Sequence, residues 1–447
     1  MKIIIAGAGA VGTHLAKLFS LENHDITLID EDMGRLMDIG NDFDILTLNE
    51  DPSSIHVIHD AGARNADLFI AVTPDEAHNL TICMLAKQLG AKQTVARVNN
   101  HEYALESNRE LFSQTGVDSI IYPEMAAGKE IMDNIRRSWT RQWIPMLNDQ
   151  LVLLCIKVRT GARILNVPLR DISKPDSPYH VVAIKRKEDT IIPHGNDCLL
   201  DQDVVYFMTT ELEASYIKEI AGKQDYPDVR NVFFLGGGNT TERALAFLPD
   251  YMHAKVFETD PRRIEHLQSL YEDNRIMCIN EDGRNIDLLE EEGIHRAQAF
   301  VATTSSSSEN VLSCLNAKKL GVRKTVALID NSNYVTMAQS LDIGSIIDKK
   351  TLAADKIYNR ILQSDVTNVK SLIIAAADVA ELVVKEGSRA TRHPVRDLNL
   401  PSTVTLGGMM RNGVGSLING MTQLQAGDTV MAFCIEGSIN KLGKYFN

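Results

Sequence analysis

Apolar residues near the amino terminus alternate between unbroken runs and helical spacing. The run Lys2–Ala6 is apolar after its first residue, which is typical of a strand buried on both faces of a parallel sheet. The next residues place Val11, Leu15 and Phe19 on one face of an amphipathic helix. Further apolar runs continue the alternation at Ile26–Ile29, Leu68–Val72 and Thr94–Val98. This order of strands and helices predicts an α/β fold with a doubly wound parallel sheet.

The same pattern recurs in the second half of the chain. Residues 66–100 and residues 297–331 align without a gap, and Cys83 and Gly90 fall on Cys314 and Gly321. Weaker matches extend to both sides. We therefore predict two tandem Rossmann-like domains that arose by duplication.

Each predicted sheet domain is followed by a long amphipathic segment and then by short β-like runs. In the first half, Met132, Ile135, Trp139 and Trp143 recur at helical spacing, which predicts a crossover helix. The two tryptophans would pack either on the core of the same protomer or at a dimer face. The β-like runs are interrupted by prolines and predict a small β-rich α+β domain. A comparable module ends the chain.

These patterns divide the chain into seven predicted segments. The first Rossmann-like domain covers 1–123, its crossover helix 124–143 and its small domain 144–222. A linker at 223–230 leads to the second Rossmann-like domain at 231–350, the second crossover helix at 351–369 and the second small domain at 370–447.

The strongest candidate site is a glycine-rich turn between the first strand and the first helix. It has the GxGxxG spacing of a dinucleotide fingerprint. The first glycine permits the tight turn, the second lets the backbone approach a pyrophosphate, and the third lets the helix pack closely. The positive end of the helix then faces the phosphates. The residues of the turn are Gly7, Ala8, Gly9, Ala10, Val11 and Gly12.

Asp30 ends the second strand about 20 residues after the turn, where the ribose of an adenosine would lie. Glu31 and Asp32 follow it, and no arginine is adjacent in sequence. A 2′-phosphate would be repelled, so NAD is favoured over NADP. The alternative is a turn of purely structural importance with Asp30 as a solvated strand end.

Further candidates lie at the carboxyl ends of other strands, where open α/β sheets bind ligands. Thr73, Pro74 and Arg97 follow or end such strands, and Asp51 is placed to lie beside an adenine. The alternatives are a helix N-cap for Thr73, a surface salt bridge for Arg97 and a loop or capping acid for Asp51.

The second half carries an altered copy of the turn. Gly236 and Gly238 match the first two glycines, Asn239 follows them, and Glu258 stands in the position of Asp30. Thr241 replaces the third glycine, which predicts crowding between helix and strand, although its hydroxyl could face a phosphate. Leu328 stands where the first half has Arg97. This second site is expected to bind more weakly, to bind another ligand or to be vestigial.

Composition narrows the classes of function. The 447 residues carry a net charge of −13, which argues against a nucleic-acid-binding protein. The six cysteines form no CxxC pair, which favours thiols in a reducing cytosol. No apolar run reaches the roughly 18 residues that span a bilayer. We therefore expect a cytoplasmic protein that reaches a membrane by docking on another protein.

The sequence shows no arrangement that we recognise as a catalytic triad or a metal site. A dehydrogenase also needs a substrate domain with an acid–base group, and the β-rich segments offer no candidate. We therefore expect a protein that is not an enzyme, with an NAD-dependent oxidoreductase as the alternative. The run Ser305–Ser308 is interpreted as a polar loop, with helix capping or phosphate contact as alternatives.

The runs KIIIAGAGAVG, DITLIDED and ADLFIAVTPDEAHNLTICMLAKQLGAKQTVARVNN resemble the RCK domains that regulate potassium conduction. Two tandem copies resemble the peripheral subunits of bacterial Trk-type potassium-uptake systems. The resemblance covers nearly the whole chain and is weakest over residues 370–447.

The resemblance implies a homo-oligomeric ring, as a dimer of dimers, on the inner face of the cell membrane, where it gates an integral membrane potassium transporter. NAD(H), with ADP or ATP as further candidates, would bind the Rossmann halves and reshape the ring. A regulator of a different cation transporter stays open. The implied contacts fall on Gly7 through Val11, Asp30, Asp51, Thr73, Pro74 and Arg97, and in the second half on Gly236, Gly238, Asn239 and Glu258.

Overall fold

A computed structural model describes residues 1–20, 24–40, 43–174, 176–271, 274–330, 333–359, 366–372, 375, 377–435 and 442–446. The chain forms two compact units. The first unit comprises Met1–Ala127 and Lys349–Ile361. The second unit comprises Gly128–Asp348 and Leu362–Asn447.

The first unit is built on a parallel sheet flanked by helices. Its strands are β1 (Lys2–Ala6), β2 (Asp25–Ile29), β3 (Leu46–Leu48), β4 (Leu68–Ala71), β5 (Gln93–Arg97) and β6 (Ser119–Ile121). Its helices are α1 (Ala10–Ser20), α2 (Met33–Gly40), α3 (Ile55–Asp60), α4 (Glu76–Gln88) and α5 (Arg109–Gln114), and α6 (Pro123–Ile135) begins here. The strand order is β3-β2-β1-β4-β5-β6, which is that of a Rossmann fold. The predicted sheet is confirmed.

The first small domain follows α6 and belongs to the second unit. Its elements are β7 (Gln142–Met146), β8 (Leu151–Lys157), α7 (Leu169–Ile172), β9 (Tyr179–Arg186), β10 (Asp189–Ile191), β11 (Val204–Thr209) and α8 (Ala214–Ile220). The predicted crossover helix at 124–143 is wrong at its carboxyl end, because α6 ends at Ile135 and Trp143 pairs with Leu154 in a β-ladder. Trp139 and Trp143 are both buried in the core of this small domain. Of the two interpretations, packing within the protomer is therefore confirmed.

The second sheet domain repeats the topology of the first. Its strands are β12 (Asn231–Leu235), β13 (His253–Phe257), β14 (Ile276–Ile279), β15 (Ala299–Ala302), β16 (Lys324–Ile329) and β17 (Ser345–Asp348). Its helices are α9 (Asn239–Leu245), α10 (Pro261–Leu270), α11 (Ile286–Glu291), α12 (Ser307–Lys319) and α13 (Asn333–Ser340). The strand order β14-β13-β12-β15-β16-β17 matches that of the first sheet strand for strand.

Helix α14 (Lys349–Asn359) follows the second sheet in the chain but belongs to the first unit. Its Tyr358 ring lies 5.5 Å from the ring of Phe19 on α1, and Lys349 pairs with Glu124 at 3.0 Å. The helix that follows the first glycine turn is therefore covered by the crossover helix of the other half. The predicted helix at 351–369 is wrong at its carboxyl end, because a strand begins at Val366. Residues 360–365 lie outside the described residues.

The second small domain contains β18 (Val366–Leu372), β19 (Ala377–Val383), β20 (Val404–Arg411), β21 (Val414–Leu417), β22 (Thr429–Ile435) and α15 (Gly443–Phe446). The two small sheets have equivalent strand orders, β7-β8-β11-β9-β10 and β18-β19-β22-β20-β21. A bidentate ion pair also recurs: Arg186 binds Asp203 and Arg411 binds Asp428, with closest contacts of 2.7 and 2.6 Å. The duplication therefore includes the small domains. Among the described residues, no helix is long and apolar enough to span a membrane.

Candidate functional site

The glycine turn of the first unit lies between the end of β1 and the start of α1. Gly7 has a φ of +107°, in the left-handed region that favours glycine. A Cβ atom at Gly12 would overlap the Gly7 carbonyl oxygen, so α1 can approach β1 this closely only with glycine there. A Cβ atom at Gly9 would meet no described heavy atom within 4 Å. The turn therefore keeps open space where a pyrophosphate would approach the backbone. Ala10 begins α1, and Ala8 and Val11 are buried beside it.

Asp30 lies directly against this turn. Its Oδ2 accepts a hydrogen bond of 2.6 Å from the N–H of Ala8, and its Oδ1 accepts one of 2.8 Å from the N–H of Asp32. Arg35, which the sequence did not indicate, lies 3.9 Å from Asp30 and 3.2 Å from Asp32. Because two carboxylates face this guanidinium, the surroundings favour a ribose hydroxyl over a 2′-phosphate.

A buried asparagine joins the two strand ends beside the turn. Asn79 on α4 accepts hydrogen bonds from the N–H of Thr73 at 2.9 Å and from its hydroxyl at 2.7 Å. The Asn79 amide donates to the carbonyl oxygens of Thr73 and Arg97 at 3.0 and 2.9 Å. Thr73 is not the N-cap of α4, which is Asp75. Asn79 thus fixes Thr73 and Arg97 side by side at the carboxyl ends of the strands, where a ligand would bind. Pro74 follows Thr73, and its carbonyl oxygen lies 3.3 Å from the Asn99 amide.

Arg97 carries a polar atom that the described residues leave unsatisfied. Its Nε is buried without a hydrogen-bond partner among them, while its Nη2 lies 3.4 Å from Asn99. An unsatisfied buried donor is costly. The open space at Gly9 suits the pyrophosphate of a dinucleotide, and a contact between Arg97 and such a ligand remains a prediction.

Asp51 is satisfied within its own loop. It accepts hydrogen bonds of 2.8 and 2.7 Å from the N–H and hydroxyl of Ser53, and these bonds lower the pKa of Asp51. Asp51 is therefore a loop acid, as the alternative interpretation expected. A role beside an adenine remains a prediction.

The second unit has a pocket of 290 Å³ at the carboxyl ends of β12 and β15. Gly236 has a φ of +99°, and a Cβ atom at Gly238 would meet no described heavy atom within 4 Å, as at Gly9. The predicted residues Gly236, Gly238 and Glu258 line this pocket, and Asn239 begins α9 beside them. Asp282, the counterpart of Asp51, also lines it.

Thr241 is accommodated without facing the pocket. Its hydroxyl is fully buried and lies 2.6 Å from both the Gly236 carbonyl oxygen and the Thr303 hydroxyl. The expectation that this hydroxyl could face a phosphate is therefore wrong, because backbone and Thr303 groups engage it inside the fold.

Glu258 occupies the place of Asp30 in three dimensions as well as in sequence. Its Oε2 accepts a hydrogen bond of 2.7 Å from the N–H of Gly237, and its Oε1 accepts from Thr259 and Asp260. Burial raises the pKa of Glu258, but the N–H groups of Asp260, Gly237 and Thr259 outweigh burial and leave the pKa below its ordinary value. The carboxylate is thus held ionised at the turn.

Ion pairs that have no counterpart among the described residues of the first half lie around the second glycine turn. Glu242, at the position of Thr13, lies in the first turn of α9 and is held by Arg263 at 3.2 Å and His266 at 3.1 Å. Arg284 lines the pocket, but Asp282 and Glu309 bind it at 2.8 and 2.7 Å. Apart from Asp282, the sequence did not indicate these groups. Glu242 does not line the pocket, where the carboxylates are those of Glu258, Glu281, Asp282 and Glu309.

The serine run Ser305–Ser308 contains a helix cap, which was one of the alternative interpretations. Ser306 is the N-cap of α12, with its Oγ 3.3 Å from the N–H of Glu309, and Ser307 and Ser308 begin the helix. The preferred interpretation as a polar loop is wrong for Ser306 to Ser308, because Ser306 caps α12 and the two serines after it lie in the helix. In the described part of the chain, no group of three or more His, Cys, Asp or Glu side chains is arranged to hold a metal ion.

Comparison with known families places these domains. The model of the TrkA-N domain matches residues 3–123 and 232–349, which are the two parallel-sheet domains. The model of the TrkA-C domain matches residues 379–447. The duplication seen in the sequence thus coincides with two copies of one domain family.

Full-length relatives share this organisation. The Trk system potassium uptake protein TrkA of Vibrio alginolyticus is 28% identical over 444 residues, covering 97% of this chain and 96% of the relative. A TrkA homolog of Archaeoglobus fulgidus is 26% identical over 449 residues, covering 100% of both. The similarity therefore extends from end to end.

Solved structures share the fold at lower identity. The crystal structure of the GsuK RCK domain has a TM-score of 0.58 and 14% identity, covering 100% of this chain and 94% of that one. The GsuK channel bound to NAD has a TM-score of 0.57 and 15% identity, covering 100% of this chain and 78% of that one. The fold of the whole chain is thus known from experiment.

Proposed function

The chain belongs to the family of proteins with TrkA-N and TrkA-C domains, and from this we propose that it is the nucleotide-sensing regulatory subunit of a potassium-uptake transporter. Relatives that match end to end carry the name of Trk system potassium uptake proteins. In this proposal the chain performs no chemistry: it binds a nucleotide and reports that binding to a membrane partner.

The glycine turn of the first unit carries the proposal. It combines open space at Gly9 with the carboxylate of Asp30 beside the turn. Arg97, whose carbonyl Asn79 ties to Thr73, is the proposed cation of this site. These groups suit the pyrophosphate and the adenosine ribose of NAD(H), and the same two features would accept ADP or ATP. The first unit is the sensor in this scheme, and the second pocket, which has Leu328 in the position of Arg97, binds phosphates more weakly.

The packing of α1 suggests how binding is transmitted. The amino end of α1 would contact the pyrophosphate, while its side chains Phe19 and Leu15 are buried and Phe19 contacts Tyr358 of α14. Because α14 follows the second sheet, a small shift of α1 would be felt by the other half of the chain. A nucleotide can drive such a change only if it binds two conformations with different affinity.

The partner in this proposal is an integral membrane potassium transporter of the Trk type. The protein would assemble as a homo-oligomeric ring, a dimer of dimers, peripheral on the cytoplasmic face of the membrane. Analytical ultracentrifugation of the purified chain tests the ring, and a monomer at all concentrations and with all nucleotides would contradict it.

Titration calorimetry with NADH, NAD, ADP and ATP tests the sensor. Gly9→Ala adds a methyl group where the described structure has space, so the fold should persist while the methyl blocks the pyrophosphate. Gly238→Ala makes the matched change in the second half. We expect Gly9→Ala to weaken nucleotide binding at least about tenfold, which corresponds to about 1.4 kcal/mol.

The two variants separate the outcomes. If Gly238→Ala leaves the main binding event intact, the first unit is the sensor. If it abolishes the main event instead, the assignment of the sensor is wrong. Absence of binding by the unsubstituted chain would overturn the nucleotide proposal, and normal potassium uptake in cells that lack the chain would overturn the regulatory one.

A further inference from the structure

A dense cluster of cations lies in the second unit. It is at the end of the second sheet where β17 begins, opposite the carboxyl ends of the strands that line the pocket. It surrounds Asp342, in the turn before β17, and combines residues of the first small domain with residues of α12. Asp342 Oδ2 accepts a hydrogen bond of 2.7 Å from Arg159 and lies 4.0 Å from Lys318. Asp342 Oδ1 pairs with Arg141 and lies 3.5 Å from Lys157. We call Arg141, Lys157, Arg159, Lys318 and Asp342 the Asp342 cluster.

Charge in this cluster is not balanced by the residues that form it. Two guanidinium and two ammonium groups face one carboxylate within the cluster, so the cations exceed the anions by three. Their N–H donors also outnumber the acceptor positions of one carboxylate. Like charges held this close repel each other, and the repulsion is stronger where water is partly excluded. An additional anion would relieve it.

We propose that the Asp342 cluster is a binding site for a small phosphate-bearing anion. Arg159 and Lys318 are its more exposed cations, with 44% and 28% of their side chains exposed, and Lys157 is less exposed, at 17%. The guanidinium groups of arginine and the ammonium groups of lysine are the cations that bind phosphate oxygens in proteins. A flat macromolecular surface would reach Arg159 but not Lys157, which favours a small ligand.

The position of the cluster gives such an anion a structural effect. Lys157 and Arg159 lie at the end of β8 in the first small domain, whereas Lys318 lies on α12 of the second sheet domain. A phosphate bound by all of them would tie these domains together. The cluster shares no residue with either glycine turn, so it can be substituted without changing the residues of the nucleotide pockets.

The ionisation of the lysines sets the expected pH dependence. Burial, and then the neighbouring Arg141 and Arg159, lower the pKa of Lys157 and of Lys318 to about 8. Lys223 lowers the pKa of Lys157 further, whereas Asp201 raises it. A phosphate favours the charged lysines, so binding should be tighter at pH 7 than at pH 9.

Thermal unfolding of the full chain with inorganic pyrophosphate tests the site, with chloride added to match the ionic strength. We expect pyrophosphate to raise the Tm of the unsubstituted chain and to raise it more at pH 7 than at pH 9. The double variant Lys157→Gln, Arg159→Gln should lose this shift. The control Arg163→Gln, Lys187→Gln removes the same charge from exposed positions of the same small domain and should keep it.

Asp342→Asn provides an independent readout. It removes the one carboxylate of the cluster, so it should lower the Tm in chloride and enlarge the gain from pyrophosphate. A smaller Tm gain from pyrophosphate in Asp342→Asn would overturn the proposal. So would a Tm gain in the Lys157→Gln, Arg159→Gln variant equal to that of the unsubstituted chain, or no gain in the unsubstituted chain. If the double variant does not fold, the single variant Lys157→Gln replaces it, with the same expected loss of the Tm shift.

The source of the phosphate group is resolved by a second titration. In a Gly9→Ala, Gly238→Ala background, a Tm shift with both pyrophosphate and ADP would mean that the cluster accepts the phosphates of a nucleotide. A shift with pyrophosphate alone would mean that it is specific for a free phosphate anion. A shift with neither would overturn the site.

Discussion

Arg97 and Leu328 occupy equivalent positions in the two halves, and the same buried side chain anchors both. Asn79 binds the Thr73 backbone and the Arg97 carbonyl, and Asn310 binds the Thr304 backbone and the Leu328 carbonyl with distances of 2.9 and 3.0 Å. The backbone at this site is therefore the same in both halves. What differs is the side chain that it presents to a ligand.

Arg97→Leu thus gives the first site the residue of the second. The backbone should be unaffected because Asn79 contacts only the Arg97 carbonyl, and removing a buried, unsatisfied Nε should leave the Tm unchanged or higher. Nucleotide affinity should fall by about 10- to 100-fold, since hydrogen bonds to charged groups contribute about 1.5–3 kcal/mol. Calorimetry with NADH and thermal unfolding measure the two effects separately.

The reciprocal change provides the control. Leu328→Arg should leave the first site intact and, if the second pocket is limited by its missing cation, should tighten nucleotide binding there. An Arg97→Leu protein with unchanged affinity would show that Arg97 does not contact the ligand.

At the scale of residues, the sequence was sufficient where chemistry depends on local spacing. The positions of Gly7, Gly12 and Asp30 relative to one strand–turn–helix unit follow from the fingerprint alone. Arg35 was missed because its proximity to Asp30 depends on how α2 packs. Glu242 is close to the second turn in sequence, but its partners Arg263 and His266 depend on how α10 packs. Asn79 was detectable in principle, because Asn310 repeats it at the same offset within the duplicated segment.

At the scale of elements, the close packing of two helices depends on a glycine at position 128. Gly128 lies in α6, where an added Cβ atom would lie 2.6 Å from the Ala244 backbone nitrogen and 2.8 Å from the Arg243 Cβ. The crossover helix of the first half therefore approaches α9 closely, as α14 approaches α1 in the first unit. Each helix that follows a glycine turn is covered by a crossover helix from the other half.

Gly128→Ala should destabilise the protein although alanine favours helix. The gain in helix propensity is about 1 kcal/mol, but overpacking typically costs about 1–3 kcal/mol and forces α6 away from α9. A lower Tm is therefore expected. Gly34→Ala is the matched control, because its Cβ atom would meet only the Asp32 carboxylate, at 3.2 Å, and its Tm should not fall. A higher Tm for Gly128→Ala would show that the two helices are not in tight contact.

The sequence predicted these elements better in their order than in their ends. The strands of both parallel sheets follow from continuous apolar runs, which have few other interpretations. The end of α6 was wrong because Trp139 and Trp143 continue a helical spacing although they pack in the small-domain core. The end of α14 was wrong for a similar reason, since the β-branched Val366 and Val369 belong to the next strand.

At the scale of the whole molecule, the two halves repeat each other but are not interchangeable. The sheets and the Arg186–Asp203 and Arg411–Asp428 pairs are copied from one half to the other. Lys324 is not: its counterpart in the first half is Gln93, at the exposed start of β5. Lys324 is fully buried, hydrogen-bonds to the Thr140 carbonyl and lies 2.8 Å from the Ser345 hydroxyl. It joins the second sheet to the chain that enters the first small domain.

Burial, and then the charge of Arg141, lower the pKa of Lys324 to about 7. The unfolded chain would hold this proton up to its ordinary pKa of 10.5, so between these values the unfolded state binds more protons than the folded state. The free energy of unfolding must then rise as pH increases through this window. Lys157 and Lys318, with pKa values of about 8, act in the same direction above pH 8.

Lys324→Met should therefore flatten the pH dependence of stability between pH 7 and pH 8.5, measured by denaturant unfolding. Lys157 and Lys318 also titrate in this range, but they are present in all three proteins, so a difference in slope reports Lys324. The buried thiols of Cys83 and Cys314 have raised pKa values, and they oppose the trend as unfolded cysteines ionise at higher pH. Lys319→Met, at the exposed end of α12, should keep the slope of the unsubstituted chain. Equal slopes in all three proteins would mean that Lys324 stays protonated in the folded state. Its charge would then add to the Asp342 cluster and strengthen the case for an anion bound there.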